Sequence, residues 1–116
     1  MDIMIVVYAV LAYVIGSIPS GLIIGKTFFN TDVRQYGSKN IGATNTYRVI
    51  GLKAALPVFL CDALKGAAGV VLLSSYGPMY MILGGILAMM GHNWSIFLGF
   101  KGGRGVATGI GVLIAL

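Results

Sequence analysis

From Ile3 to Gly25 the chain carries no charged side chain, and a run of that length matches the ~20 apolar residues an α-helix needs to cross a ~30 Å hydrocarbon layer. The pattern repeats. Beyond Lys53 the stretch to about Ser75 is apolar except for Asp62 and Lys65, and another apolar run starts at Pro78 and continues through Met79-Tyr80-Met81-Ile82-Leu83 to Met90 or Leu98. A chain that is 58% hydrophobic and 9% charged cannot cover a water-facing surface with polar groups, so lipid is its solvent. Backbone amides find no partner in lipid outside a helix or a closed barrel, and long unbroken apolar runs favour helices. The predicted fold is all-α: a polytopic transmembrane helix bundle.

The expected organisation is a single membrane domain over 1–116, with helices at about 3–25, 52–75, 78–98 and 105–116. Gly16, Ser17, Pro19 and Gly21 predict a kink or early unwinding in the second half of the first helix. That helix has no basic segment before it, which argues for a retained span rather than a signal peptide. The segment from Gly105 to Leu116 reaches only ~18 Å as a helix, which makes three spans plus a partial fourth. The expectation is a chain truncated at its C-terminus; a half-span covered by an oligomeric partner is the alternative.

Charge placement supplies the orientation. Lys26, Arg34, Lys39, Arg48 and Lys53 face a lone acid, Asp32, between the first two spans, and Lys101 with Arg104 follow the third. The turn Ser74-Ser75-Tyr76-Gly77-Pro78 carries no charge. Basic loops stay inside, so both should be cytoplasmic, with the N-terminus and the Ser74–Pro78 turn outside. The few charges, most of them in loops beside apolar spans, argue against a nucleic-acid partner. Cys61 cannot pair within the chain and reads as a small packing residue.

Both loops have the composition of an anion site. Gly37-Ser38-Lys39-Asn40-Ile41-Gly42-Ala43-Thr44-Asn45-Thr46-Tyr47-Arg48 gathers glycines, hydroxyls, amides and two cations. Gly37 and Gly42 allow close backbone approach, Ser38 and Thr44 add hydroxyl donors, Asn40 and Asn45 add amides, and Arg48 adds a two-pronged fork. The Gly37-x-x-x-x-Gly42 spacing lacks the lysine and the preceding strand of a P-loop, which excludes a nucleotide hydrolase. In the second loop Gly99, Gly102, Gly103 and Gly105 surround Lys101 and Arg104 directly ahead of an apolar helix. A helix N-terminus adds its own partial positive charge there. The plainer reading of both loops is topological, or as contacts to anionic lipid head groups. Basic residues alone, however, do not call for the clustering of Gly, Thr and Asn.

Taken in order, these stretches resemble the bacterial acyl-phosphate:glycerol-3-phosphate acyltransferases, the PlsY family. Gly16-Ser17-Ile18-Pro19-Ser20-Gly21 is similar to the family's opening helix, Arg34-Gln35-Tyr36-Gly37-Ser38 through Arg48 to its first cytoplasmic motif, and Gly91-His92 with Phe100-Lys101-Gly102-Gly103-Arg104-Gly105-Val106-Ala107-Thr108 to its second. Asp62-x-x-Lys65-Gly66 also fits. The resemblance implies transfer of a fatty acyl group from acyl phosphate to the 1-hydroxyl of sn-glycerol 3-phosphate, giving lysophosphatidic acid and phosphate at the bacterial inner membrane, with no metal or other cofactor. It implies Ser38 and Arg48 as the catalytic polar pair. Lys101, Gly102, Gly103 and Gly105 then help bind glycerol 3-phosphate, joined by Arg104 and by Asn40, Gly42, Thr44 and Asn45. Lys39 stands where the family usually has glycine, and Arg104 where lysine is commoner. A third family motif, with a histidine, an asparagine and a glutamate, has no counterpart within these residues.

Two other function classes stay open on the sequence: an inactive fragment of such an enzyme, and a membrane transporter or binding module for phosphorylated solutes. Neither acyl-chain preference nor oligomeric state is legible. His92, the single histidine, reads as a packing or hydrogen-bonding residue at least as readily as a proton carrier. Asp62 and Lys65, at i and i+3, are expected to pair across one helix face. Trp94 and Tyr76 are expected to anchor the interface.

Overall fold

The computed structural model describes residues 3–96 and 106–116. These are all-helical, with no strand among them: α1 Ile3–Ser17, α2 Ser20–Phe29, α3 Ala43–Val49, α4 Leu52–Leu72, α5 Pro78–Asn93 and α6 Val106–Ala115, with short 3₁₀ turns at Val33–Gln35 and Ser74–Tyr76.

The first apolar run is two helices, not one. The chain leaves helix after Ser17, re-enters at Ser20, and turns by 42°. Pro19 sits at the break, where its ring and missing N–H prevent the ladder from continuing. Past the break α2 runs on to Phe29, beyond Gly25. It stops at Asn30, a left-handed cap with φ 50°, whose N–H bonds back to the Gly25 carbonyl.

α4 is the hub: it packs against each of the other five helices. Small residues make this possible, because they let helix backbones approach closely. Gly69 of α4 and Gly84 of α5 face each other so tightly that a Cβ on either would strike the other's carbonyl, and Gly66 and Gly111 serve the α4–α6 contact in the same way. At the far end, α5 begins with Pro78 in the first turn, where a missing N–H costs nothing. At the near end it stops at Asn93, short of 98, and the chain is tied to α1. There the Tyr13 hydroxyl donates to the Trp94 carbonyl and the Ser95 hydroxyl to the Ser17 carbonyl.

The distribution of polarity is inverted relative to a protein in water. Along α4, Leu52, Leu56, Leu60 and Leu64 form an i, i+4 stripe with exposures between 54% and 67%, while Ser17, Asp62, Lys65, His92 and Thr108 are buried. Cys61 is exposed on that helix rather than packed as expected, because it shares the outward face of Pro57, Leu60 and Leu64. Among the described residues, Leu52–Tyr76 is long and apolar enough to cross a bilayer, and the bent pair α1–α2 makes a second crossing if taken as one span. α5, at 16 residues, extends ~24 Å.

Candidate functional site

The basic segment between α2 and α4 is a folded layer with its own small core. Leu22, Val33 and Ile41 are buried together, and Val49 and Ile50 pack against them. A Cβ at Gly21 would overlap the Ile41 backbone, so the segment lies directly on α2 there. Asp32 caps the first turn. Its carboxylate accepts from the Arg34 amide at 2.9 Å and from the Arg34 guanidinium at 3.1 and 2.9 Å. The Arg34 side chain holds the Asp32 carboxyl below its usual range and so takes both charges out of play as ligands.

The second half of the Gly37–Arg48 segment is helical, which places Thr44, Asn45 and Arg48 on α3. Asn45 is 2% exposed and organises the turn before it. Its Oδ1 accepts from the Ser38 amide at 2.9 Å, and its Nδ2 lies 3.0, 3.2 and 2.9 Å from the carbonyls of Val33, Tyr36 and Asn40. The Asn40 side chain in turn accepts from the Gly42 amide at 2.8 Å. Gly37 adopts φ 55° with the Asn45 oxygen where a Cβ would stand, so glycine is required.

Lys39 also has a positive φ, 63°, in a region where L-residues with a Cβ are crowded. Lys39→Gly is therefore expected to stabilise the fold by up to about 1 kcal/mol, read as a raised thermal midpoint in lipid nanodiscs. A lowered midpoint would mean that the lysine side chain supplies a compensating contact.

A cavity of about 280 Å³ opens between this layer and the helices. It is lined by Ser38, Asn40, Gly42, Ala43, Thr44, Asn45 and Arg48, by Phe59 and Asp62 of α4, by His92 of α5 and by Ala107 of α6. The first loop and the two helices that flank the second loop thus share one cavity. All six first-loop residues expected at the site line it: Ser38, Asn40, Gly42, Thr44, Asn45 and Arg48. Lys101, Gly102, Gly103, Arg104 and Gly105 lie outside the described residues.

Arg48 is exposed at the cavity wall, and no acid among the described residues pairs with it. Asp32 is engaged by Arg34 and Lys26, and Asp62 by Lys65. A guanidinium with no acid partner among the described residues, sharing a cavity with the Ser38 hydroxyl and several polar backbone groups, suits an oxyanion. Asn45 behaves differently from the side chains beside it, since its amide is engaged by the surrounding turn.

Sequence reasoning left Phe59, Asp62 and His92 out of the site. Asp62 and Lys65 do pair, at 2.9 Å, both nearly fully buried. Lys65 Nζ also donates to the Ile18 carbonyl at 2.8 Å and lies 2.9 Å from His92 Nδ1. The available signal was the presence of ionisable residues inside an apolar span, which by itself marks functional sites in membrane proteins.

Residues 6–116 match the model of the family described as glycerol-3-phosphate acyltransferase. A glycerol-3-phosphate acyltransferase of Lactiplantibacillus plantarum is 51% identical over 114 residues, covering 96% of this chain and 55% of the relative. One from Fusobacterium nucleatum is 48% identical, covering 94% of this chain and 57% of the relative. Among solved structures, crystal structures of PlsY, an integral membrane glycerol 3-phosphate acyltransferase, superpose with a TM-score of 0.88 at 38% identity for the glycerol 3-phosphate form and 0.84 at 37% for the lysophosphatidic acid form. Each comparison covers 96% of this chain and 56% of the crystallised one. The chain therefore spans a little over half the length of these relatives.

Proposed function

Because this chain belongs to the glycerol-3-phosphate acyltransferase family, we propose that the protein transfers a fatty acyl group from acyl phosphate to the 1-hydroxyl of sn-glycerol 3-phosphate, forming an ester and releasing inorganic phosphate. The observation that carries the reading is the shared cavity. Ser38 and Arg48 line it together with the residues on either side of the second loop, and Arg48 has no acid among the described residues to neutralise it.

Both substrates bring phosphate, so the main task is to gather and stabilise crowded oxyanions, a task for fixed donors and cations. Arg48 and the Ser38 hydroxyl take the reacting phosphate oxygens. Lys101, Arg104 and the amides of Gly102, Gly103 and Gly105 take the phosphate of glycerol 3-phosphate, supported from the first loop by Asn40, Gly42 and Thr44. Asn45 acts there through the shape of the turn.

The setting follows from the acyl tail. At ~0.8 kcal/mol per CH₂, a long chain resists leaving the bilayer by on the order of 10 kcal/mol. The reaction then belongs at the membrane edge, with the tail in lipid and the head group in the cavity. The charge asymmetry of the loops supports a multi-pass protein of the bacterial inner membrane, N-terminus outside and both loops cytoplasmic, with α1–α2, α4 and α5 as spans and α6 a partial fourth.

The test is phosphate release from palmitoyl phosphate in proteoliposomes, using the protein expressed with any coding sequence that follows Leu116. Release that depends on glycerol 3-phosphate, with lysophosphatidic acid formed in equal amount, is the expected result. Saturable uptake of glycerol 3-phosphate without acyl transfer would overturn the reading in favour of a transporter.

A further inference from the structure

Four polar groups from three parts of the fold meet at the cavity: Asp62 and Lys65 on α4, His92 on α5, and the Ile18 carbonyl at the α1–α2 break. All three side chains are buried, at 1%, 5% and 3% exposure. Two of them, Asp62 and His92, also line the cavity, whereas Lys65 does not.

The hydrogen bonds fix the state of the imidazole. Lys65 Nζ serves the Ile18 carbonyl at 2.8 Å and stands 2.9 Å from the Asp62 carboxylate, two oxygens that can only accept. An ammonium has three donors and no acceptor. Its third neighbour, His92 Nδ1 at 2.9 Å, must therefore be an acceptor, with its lone pair toward the lysine. Asp62 Oδ1 lies 3.7 Å from the same nitrogen, beyond hydrogen-bond reach, so no competing bond draws a proton onto Nδ1. The ring proton is left on Nε2, at the other edge of the imidazole.

Resting on the acyltransferase reading of this cavity, we infer that His92 is a neutral hydrogen-bond donor to a bound phosphate oxygen. Nε2–H is presented to the cavity, and Lys65 acts as the positioning residue that sets the tautomer. This assigns His92 to binding the phosphate rather than to taking the proton from the glycerol hydroxyl, because its basic nitrogen is occupied by Lys65, which does not line the cavity. It also gives Asp62 and Lys65 a role at one remove: the carboxylate stands 2.9 Å from the lysine, and the lysine keeps the ring oriented.

The protein, expressed with any coding sequence that follows Leu116, is prepared with ¹⁵N-labelled histidine in lipid nanodiscs, and the His92 signals are assigned by their loss in His92→Gln. It is titrated with glycerol 3-phosphate, in parallel with inorganic phosphate, following the ring nitrogens and the phosphorus resonance together. Before ligand, one pyridine-type Nδ1 and one pyrrole-type Nε2 are expected. On titration the Nε2 resonance should move and saturate with the phosphorus signal, and inorganic phosphate should do the same if the phosphate alone is what His92 contacts. An imidazolium pattern or a proton on Nδ1 in the free protein overturns the inference. So does phosphate binding that leaves Nε2 unmoved, an outcome that leaves the site reading standing. Absence of binding at either nucleus overturns both.

Substitutions at two residues extend the test without depending on each other. His92→Leu should weaken glycerol 3-phosphate binding about tenfold or more, whereas His92→Gln, which keeps an N–H donor near the same place, should retain most of the affinity. Equal loss in both variants would overturn the donor role. Lys65→Met should leave His92 with a mixture of tautomers, and an unchanged Nε2–H pattern would remove Lys65 from the scheme.

Discussion

Arg48→Ala is expected to lower glycerol 3-phosphate-dependent phosphate release from palmitoyl phosphate by roughly 10²–10³-fold, the usual consequence of removing one preorganised oxyanion donor, while leaving the fold intact. The two halves of that expectation come from the same observation. Arg48 lines the cavity and is held by no acid among the described residues, so its charge is available to a ligand and contributes little to folding. A change at an exposed position of that kind stays within about 0.5 kcal/mol. Arg48→Lys should fall between wild type and alanine, since it keeps the charge but loses the planar fork. Rate assays in proteoliposomes beside thermal unfolding separate the cases. If stability collapses along with activity, Arg48 is a structural residue and the phosphate reading loses its best support.

Asn45→Asp should have the opposite signature, a change of nearly equal size and shape that dismantles the site by unfolding its first loop. The Asn45 amide nitrogen lies within 3.2 Å of three carbonyl oxygens, and its oxygen takes the Ser38 amide. Aspartate keeps the second interaction and places a charged oxygen among the three carbonyls in a residue only 2% exposed. Leaving buried acceptors unsatisfied costs about 1–3 kcal/mol per group, more when one is charged. The expected loss is therefore several kcal/mol, seen as a lowered unfolding midpoint and as early proteolysis between Asn30 and Gly51. Asn45→Asp with normal stability but impaired substrate binding would instead make Asn45 a direct ligand.

Much of this was legible because the signals were local. Apolar runs without charge declare helices whatever they pack against, and Pro19 declares a break wherever it falls in one. The density of Gly, Ser, Asn and Thr around Arg48 singled out the first loop before any neighbour was known, and that loop lines the cavity. The division of labour within that loop was not legible. Asn40, Thr44 and Asn45 look equivalent in sequence, and only the three-dimensional turn separates an asparagine that holds the backbone from a threonine that stands at the cavity. Nor could spacing within one helix reveal that the Asp62–Lys65 pair reaches His92, because that contact joins residues 27 positions apart through the packing of α4 on α5. Cys61 was misread for the inverse reason: in lipid, a small apolar residue gains nothing by turning inward.

The interruption between α1 and α2 has an effect beyond bending the chain. A continuous helix would have committed the Ile18 oxygen to its own ladder; broken here, that oxygen accepts both the Ser20 amide at 3.0 Å and the Lys65 ammonium at 2.8 Å. The lysine can be kept inside the bundle because a stretch of backbone has been unwound to receive it. Straightening the segment would withdraw that acceptor, loosen Lys65 and let the imidazole turn, so Pro19, which does not line the cavity, helps set the orientation of a side chain that does.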